Sequence, residues 1–338
     1  MEMRSDRIKP DKWILMLFIG IVATLSLMVY FFSPLLDGIL MGVAFSYVAK
    51  PIKKKLDTKM NKNVSSLIAT LIILVPVSIL LFYGIFQGIM QAANIITHQK
   101  EFQDQIIDIL KDSGLSEYYI KQIESFIPNI LSFISKNILQ MSAIDLTFKI
   151  ISFVMNFFIS MVVCFYALAD GDTFIKKSLR IIPDEYRTKF GNFIEEVDNV
   201  FLGLWFGNFA VAVLIGIASI PFFLAFNIPY TALLSGLIFL AALIPVFAEW
   251  MVLIPVTIYI ALQSVHAAIW FIVLGAIFLY ILPELILRPY LLSYTSRIHP
   301  LIILLSFIGG GMVAGVTGFF LAPMIAGLVT AIYNIYTR

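Results

Sequence analysis

The sequence predicts an all-α polytopic membrane protein with about eight hydrophobic segments. Two observations predict this class. Of the 338 residues, 60% are hydrophobic and 13% are charged, whereas soluble domains carry about 25% charged residues. Apolar runs close to the roughly 20 residues needed to cross about 30 Å of hydrocarbon recur along the chain. They cover residues 13–32, 34–49, 64–96, 146–169, 206–226, 230–262, 267–287 and 301–336.

Several classes of function have no support in the composition and motifs. The net charge of +2 is too small to favour a nucleic-acid partner. A single cysteine, Cys164, excludes a disulfide framework. No His or Cys cluster has metal-ligand spacing, and no Gly-Lys-Ser/Thr loop could cradle a phosphate. We therefore expect no enzyme activity, metal or cofactor, and we expect the partners to be the lipid bilayer and a small-molecule or ion substrate.

The amino-terminal part, residues 1–97, is predicted to hold the first membrane helices. Segment 34–49 is short, so it either forms a tight hairpin with segment 13–32 through Ser33-Pro34 or lies partly in the membrane interface. Segment 64–96 is longer than one span requires, so it should tilt or project from the bilayer.

Residues 98–146 are predicted to form an extracytoplasmic helical insert. Their apolar residues recur with helical periodicity at Ile106, Ile107 and Leu110, and again between residues 120 and 134. This pattern indicates two or three amphipathic helices packed on the outer face. The insert is interpreted as a cap or an oligomer contact, with a ligand-capturing domain as the alternative.

Residues 147–205 are predicted to hold the fourth span and a cytoplasmic surface helix. Pro183-Asp184-Glu185 is a favourable helix start, and an apolar stripe follows it. This surface helix is either a lipid-skimming linker or a lever that couples cytoplasmic events to the spans. Residues 206–338 are then the membrane transport core.

Lysine and arginine residues predict the orientation of the chain. They concentrate in residues 4–12, 50–62 and 176–189, and these stretches share one side if segment 34–49 crosses the membrane. By the positive-inside rule, that side is the cytoplasm. The prediction is a multi-pass protein of the cell membrane with both termini in the cytoplasm.

Glu249 is the candidate ion or proton site. Glu249 and Glu284 are the only formal charges in residues 200–287, and a charge near the bilayer centre costs about 2.5–3.5 kcal/mol. Pro245 and Pro255 flank Glu249, so the helix should break there, which membranes tolerate only beside protein or a water-filled cavity. The alternative places Glu249 in a loop among the lipid headgroups.

Other polar residues in the apolar segments are weaker candidates. Asn208 lies inside a span and is interpreted as a hydrogen-bonding partner of a neighbouring helix, or as part of the substrate pathway. Glu284 and Arg288 are four residues apart, so they can pair on one helix face. The pair is a helix-end salt bridge or, alternatively, a gate that opens and closes with the transport cycle.

Three consecutive glycines divide segment 301–336 into two halves that are each short for a span: Gly309, Gly310 and Gly311. Segment 230–262 is divided similarly at Pro245. Both segments are therefore predicted to be broken helices or re-entrant hairpins, with a bend at residues 309–311 opposite Glu249. A close-packing face of small residues is the alternative, because Gly311, Gly315 and Gly318 approximate the required spacing.

An ordered set of motifs runs through the second half of the chain. The set comprises YALADGD at 166–172, Gly207-Asn208, Asn227-Ile228-Pro229-Tyr230, Gly236, Ile244-Pro245, LRPYLLS at 287–293, His299-Pro300, Gly309-Gly310, Gly315, Gly318 and Ala322-Pro323. With these motifs and the order of its hydrophobic segments, the chain resembles the autoinducer-2 exporter family, also called PerM-like permeases. It departs from the family pattern at Ala242, which occupies the usual place of an acidic residue.

The resemblance implies secondary transport or facilitated export of a small polar solute or ion. It suggests an autoinducer-2-like signal or sodium/proton exchange, and it implies a homo-oligomer, with a pentamer expected. The leading hypothesis is a transporter that couples to an ion through Glu249, with Asn208, Pro245 and the three glycines along the pathway. The alternative is an oligomeric channel-like or scaffold membrane protein without ion coupling.

Overall fold

The computed structural model describes residues 12–112, 116–139, 143–244, 249–287 and 298–337. These residues form helices and no strand. The α-helices are α1 Lys12–Phe32, α2 Leu36–Leu56, α3 Lys62–Ser78, α4 Gly84–Thr97, α5 Gln99–Asp112, α6 Glu117–Leu139, α7 Ala143–Ile181, α8 Asp184–Ala225, α9 Thr231–Ala242, α10 Trp250–Gln263, α11 Val265–Gly275 and α12 Pro300–Thr337.

The chain is an all-α polytopic membrane protein. Within the described residues, six helical stretches are long and apolar enough to cross a membrane: Ile19–Leu56, Lys62–Gln91, Ile144–Ile181, Asp184–Ala225, Val265–Leu287 and Leu301–Ile335. Two shorter apolar helices, α9 and α10, lie between the fourth and fifth stretches. This set differs from the eight predicted segments because 13–32 and 34–49 join, whereas 230–262 divides in two.

The predicted hairpin between segments 13–32 and 34–49 is wrong. Ser33–Leu35 forms a single 3-10 turn, and the backbone at Phe32 and Leu36 stays right-handed helical. Pro34 lies in the first turn of this 3-10 segment, where its missing N–H costs little. α1 therefore leads into α2 without reversing, and every α1 side chain that the structure describes is exposed.

The third predicted segment is one continuous helical path. α3 passes into α4 through a π-helical turn, Ile79–Tyr83, as the length of segment 64–96 predicted. Beyond it, α5 and α6 form the polar insert, in agreement with two amphipathic helices. Leu110, Ile120 and Ile127 are buried there, whereas Phe126 of the predicted apolar stripe is exposed.

Two glycines allow α2 to lie directly against α7. A β-carbon added to Gly38 would lie 2.4 Å from the carbonyl oxygen of Asn156, and one added to Gly42 would lie 2.7 Å from that of Ser160. The two glycines are four residues apart, the spacing that allows helix backbones to approach closely in membranes. Lipid tails are as apolar as leucine, so this close packing stabilises the helix pair in place of the hydrophobic effect.

Aromatic side chains join α2, α8 and α9 into one core. The ring of Phe45 lies 5.0 Å from that of Phe209, and Phe209 lies 6.0 Å from Phe239, in edge-to-face arrangements. Such pairs contribute about 0.5–1.5 kcal/mol each beyond the area they bury. This core fixes the position of α9 beside the long helices.

α8 is a single helix from Asp184 to Ala225. The predicted cytoplasmic surface helix and the fifth span are therefore one element, and the predicted boundary at residue 205 falls inside it. Asp184 and Glu185 occupy its first turn, where acidic side chains interact favourably with the positive end of the helix dipole. A single rigid helix can carry a displacement from one end of the molecule into its core.

The prediction that segments 230–262 and 301–336 are not simple spans is confirmed. In the first, α9 ends at Ala242 and α10 begins at Trp250; Pro245 lies outside the described residues. In the second, α12 is interrupted at Ala314 and Gly315, whose backbone angles are not helical. After α11, the chain continues through π-helical turns at Ala276–Ile281 and Pro283–Leu287.

Candidate functional site

α12 is a helical hairpin. Gly315 has a φ of +57° and a ψ of −133°, a conformation that glycine adopts without steric cost. The rings of Phe307 and Phe319 lie 4.7 Å apart, although residues twelve apart in a straight helix are separated by about 18 Å. The first arm, 300–313, is about 21 Å long. Since this is less than about 30 Å of hydrocarbon, the arm is typical of a re-entrant element.

Gly310 and Gly318 hold the two arms together. A β-carbon on Gly310 would lie 2.2 Å from the carbonyl oxygen of Gly318, and one on Gly318 would lie 1.9 Å from that of Gly310. The same added carbon on Gly310 would lie 2.7 Å from the β-carbon of Ala322. No side chain fits at either position, so the arms cross with backbone against backbone.

The bend lies later in the chain than the sequence predicted. Residues 309–311 keep helical geometry, and the hairpin turns at Ala314 and Gly315. Gly309 has open space around it, and Gly311 approaches only the ring of Phe319, at 3.9 Å. Among the described residues, Gly318 therefore packs against Gly310 and not against Gly311 or Gly315. A close-packing face that these glycines present to another molecule stays a prediction.

The tip of the hairpin is held on the start of α2. The hydroxyl of Thr317, just after the bend, donates a hydrogen bond to the carboxylate of Asp37. Beside it, the Asn156 side chain accepts a hydrogen bond from the Gly38 amide at 2.8 Å and donates one to the Pro34 carbonyl at 3.0 Å. Asn156 thus fixes the start of α2, next to Asp37, against α7.

Two cavities meet at the tip. The larger, of about 500 Å³, has an almost wholly apolar lining that includes Gly311, Gly315 and the α9 residues Phe239 and Leu240. The smaller, of about 260 Å³, is lined by polar groups that include Asp37, Lys149, Ser152 and Asn156. Three side chains line both cavities: Met41, Phe153 and Val316. One of these three, Val316, belongs to the hairpin tip.

The hairpin also contacts α8 through Trp205. The Trp205 ring lies 5.9 Å from Phe307 on the first arm and 5.3 Å from Phe320 on the second. Trp205 is 1% exposed, so both arms are packed around one α8 side chain. A displacement of α8 would therefore reach both arms of the hairpin.

Glu249 lies at the start of α10, immediately after the break. It is 2% exposed, and its carbonyl oxygen accepts hydrogen bonds from the amides of Val252 and Leu253. The neighbouring Trp250 ring lies 5.4 Å from Tyr280, so the start of α10 packs against the π-helical turn Ala276–Ile281.

The remaining predicted residues lie apart from the hairpin tip. Asn208 is 6% exposed, and its side-chain amide donates to the Leu204 carbonyl of its own helix at 2.9 Å. Glu284 lies in the π-helical turn Pro283–Leu287. Its predicted partner, Arg288, lies outside the described residues. The predicted pair therefore stays a prediction.

Sequence reasoning missed Asp37 and Thr317. The signal for Asp37 was available, because it is the one formal charge within the short segment 34–49. The contact with Thr317 was not readable, because it joins residues 280 positions apart. Among the described residues, no group of three or more His, Cys, Asp or Glu side chains could hold a metal ion.

One end of the helix bundle collects polar contacts between basic and acidic elements. Lys50 of α2 pairs with Asp198 of α8 at 2.6 Å. Asn334, near the end of α12, donates a hydrogen bond to Glu196 at 2.7 Å. The end of α2, the start of α8 and the end of α12 therefore lie together, away from the hairpin tip.

Known proteins match this chain over most of its length. A family model described as AI-2E family transporter matches residues 18–338. A relative from Archaeoglobus fulgidus is 52% identical over 328 residues, which cover 96% of this chain and 95% of the relative. A relative from Methanocaldococcus jannaschii is 29% identical over 214 residues, covering 63% of this chain and 61% of the relative. One from Bacillus subtilis is 23% identical over 254 residues, covering 72% and 68%. All three relatives are provisionally named transport proteins.

Proposed function

Since this chain belongs to the AI-2E transporter family, we propose that it carries a small polar solute or ion across the membrane and that the tip of the α12 hairpin controls the passage. The observation that carries this proposal is the hydrogen bond from Thr317 to Asp37. An autoinducer-2-like signal and sodium exchanged for protons are the proposed cargoes.

The two cavities support a gate at the tip. Val316 and the α2 residue Met41 line both cavities, so a displaced tip would join them into one passage. Met312 and Val313, on the outer side of the tip, are 83% and 88% exposed. The tip therefore has few packing contacts to lose when it moves, which is typical of mobile elements.

Replacing Thr317 with valine tests the gate. The substitution keeps the shape of the side chain and removes the hydroxyl that contacts Asp37. A hydrogen bond to a charged group contributes about 1.5–3 kcal/mol, so release of autoinducer-2 from loaded proteoliposomes should rise about tenfold or more. The matched control is Thr330→Val on the same arm, because within the described part of the chain the Thr330 hydroxyl donates to the Ala326 carbonyl of its own helix, at 2.9 Å. Equal release by both variants would contradict a gate at the tip.

Glu249 is proposed as the proton or sodium site. The support is a buried carboxylate at the start of a short helix beside a break, an arrangement that membrane transporters use to bind coupling ions. We predict that Glu249→Gln abolishes the pH dependence of release between about pH 5.5 and 8.5 while the protein stays folded. The control is Glu284→Gln, at the other glutamate of residues 200–287, and this variant should keep the pH dependence. An unchanged pH dependence in Glu249→Gln would remove this residue from the mechanism.

Asn208, Pro245 and the glycines from Gly309 to Gly311 remain proposed pathway residues. Among them, Gly311 has direct support, because it lines the larger cavity. The proposed gating role of Glu284 and Arg288 has no support from the described geometry, since Arg288 lies outside the described residues.

We propose that the bundle end carrying the Lys50–Asp198 pair faces the cytoplasm of a cell-membrane protein. Its support is the collection of lysines in the α2–α3 connection and at the end of α7, which the positive-inside rule assigns to the cytoplasm. The contact of Asn334 with Glu196 supports the proposal that the carboxyl terminus lies on the same side. The amino terminus was expected in the cytoplasm because a hairpin at Ser33-Pro34 would return the chain to that side. Since α1 continues the direction of α2, that basis for a cytoplasmic amino terminus is absent.

A homo-oligomeric channel-like or scaffold protein is the second candidate. The exposed apolar surface of α1 favours it, because Met16, Met28, Tyr30 and Phe31 are each more than half exposed and could meet another copy of the chain. The glycines lend it less support than the sequence suggested, since Gly310 and Gly318 pack within one hairpin. Flux that saturates with solute and responds to an imposed ion gradient supports the transporter; linear flux that ignores the gradient supports the channel.

A further inference from the structure

A groove that shares no lining residue with the hairpin cavities lies between the π-helical turn Ile79–Tyr83, α4, the end of α8 and the start of α9. Its volume is about 380 Å³, within the range of small-molecule sites. Six polar side chains of the described residues line it: Tyr83, Gln87, Gln91, Tyr230, Thr231 and Ser235. None of its lining residues carries a formal charge. The groove thus offers hydroxyl and amide groups without an ion partner.

Ser235 at the groove is a buried polar group that needs a partner. It is 0% exposed, and its hydroxyl has no hydrogen-bond partner among the described residues. Buried hydroxyl groups in proteins are nearly always hydrogen-bonded, and an exception requires an explanation. The other fully buried serines of the described residues all donate to backbone carbonyls. Ser65 and Ser66 donate to the Lys62 carbonyl at 3.0 and 2.8 Å, Ser160 to that of Phe157 at 2.6 Å, and Ser219 to that of Gly216 at 2.8 Å.

Irregular backbone surrounds the groove on both sides. The π-helical turn Ile79–Tyr83 forms one wall, and such turns occur often at functional sites. On the other wall, Tyr230 has a φ of +62°, a left-handed conformation that is uncommon for a bulky residue. The two elements also approach closely at Gly84 and Gly236, since a β-carbon added to Gly84 would lie 3.4 Å from the α-carbon of Gly236. The groove therefore has two conformationally restrained walls.

We propose that this groove binds a small uncharged solute with several hydroxyl groups, about the size of a six-carbon polyol. Tyrosine, glutamine, threonine and serine side chains both donate and accept hydrogen bonds, which matches hydroxyl groups. A charged solute would lose its hydration without gaining an ion partner, and that is unfavourable. The site is separate from the hairpin gate, so its test measures binding and does not depend on transport.

Equilibrium dialysis of the protein in nanodiscs with three matched probes tests the chemistry. The probes are radiolabelled D-sorbitol, D-gluconate and N-methyl-D-glucamine, which are six-carbon chains that are neutral, anionic and cationic. Sorbitol should bind saturably, and the two charged probes should bind about tenfold more weakly or not at all. Equal binding of all three, or no saturable sorbitol binding, would overturn the proposal.

Substitutions locate the binding site. Ser235→Ala should fold normally, because it removes an unpartnered hydroxyl, and it should raise the sorbitol dissociation constant roughly three- to tenfold, the value of one neutral hydrogen bond. Gln87→Leu on the facing helix should weaken binding similarly. Ser160→Ala is the matched control, a fully buried serine away from the groove, and should leave binding unchanged. Equal affinities of Ser235→Ala, Gln87→Leu and the unaltered protein would overturn the assignment.

A glycolipid headgroup presents the same hydroxyl groups, so the source of the ligand is tested separately. Nanodiscs of phosphatidylcholine are compared with nanodiscs that also contain monogalactosyl diacylglycerol. If the galactolipid lowers sorbitol binding in the unaltered protein and Ser235→Ala reduces this competition, the groove takes the headgroup sugar. If sorbitol binding is the same in both nanodiscs, the groove takes a free solute.

Discussion

Asp37 holds the tip of the hairpin on the start of α2. Its carboxylate accepts a hydrogen bond from Thr317, and the neighbouring Gly38 amide is held by Asn156. A half-buried carboxylate at membrane depth is costly unless it is hydrogen-bonded. The need to satisfy this carboxylate therefore favours the hairpin tip in its observed position, and it gives the gate a defined closed state.

The crossing of the hairpin arms depends on a single missing methyl group. Gly310→Ala places a β-carbon 2.2 Å from the Gly318 carbonyl oxygen, so the arms must separate. Overpacking of this kind costs about 1–3 kcal/mol. We predict a lower unfolding temperature for the purified variant in detergent, measured by differential scanning fluorimetry.

Gly309→Ala is the control for this substitution. Gly309 has open space around it and helical backbone, so alanine should leave stability unchanged or raise it by up to about 1 kcal/mol. If both variants unfold at the same temperature, the two arms do not cross at Gly310.

At the scale of elements, the kind of each element could be predicted better than its bends. Length and apolar content identified the long helices, and glycine content identified α12 as a broken element. The position of the bend was not predictable from residues 309–311, because glycine permits a bend without requiring one. Packing decides it: Gly310 is used for the crossing, and Gly315 takes the left-handed turn.

The direction of the chain at Ser33-Pro34 was also not predictable from the local sequence. Proline was read as a turn between two spans, but it is also favoured in the first turn of a helix. The choice between these readings depends on where α2 packs, and α2 packs along α7 through Gly38 and Gly42. Gly38 and Gly42 have the four-residue spacing of closely packed membrane helices, which was predicted only for the glycines of α12.

The joint between α2 and α3 should make stability depend on pH. The Lys53 ammonium donates a hydrogen bond to the Asp57 carboxylate at 2.7 Å, and the Ser65 hydroxyl donates another. Both hold the pKa of Asp57 below its usual value of 3.8. Because the folded pKa is depressed, this stabilisation is present above the unfolded pKa and is lost as pH falls through the folded value.

We therefore predict that part of the acid destabilisation between about pH 5 and 2 disappears in Lys53→Gln, which removes the main cause of the shift. Lys54→Gln, at the exposed neighbouring position, should keep the full acid dependence. The measurement is the unfolding temperature as a function of pH for both variants. Identical pH profiles would show that Lys53 does not stabilise the ionised Asp57.

At the scale of the whole molecule, composition alone predicted the class of protein, and the ordered motifs predicted its family. The candidate site was predicted only in part. Glu249 and the broken character of α12 were readable locally, because an isolated charge and a glycine cluster stand out in an apolar chain. The tip contact was not, since it depends on how helices distant in sequence pack against one another.

The hairpin requires that α12 reverses direction, so that both its ends lie at one end of the bundle. Electron paramagnetic resonance between spin labels at Leu301→Cys and Ile332→Cys, two exposed positions, measures this reversal in a protein whose buried Cys164 is replaced by alanine. A hairpin predicts a separation below about 20 Å, because packed helix axes lie about 8–10 Å apart. A separation of about 46 Å, the length of a straight helix between these residues, would contradict the hairpin and the gate proposed at its tip.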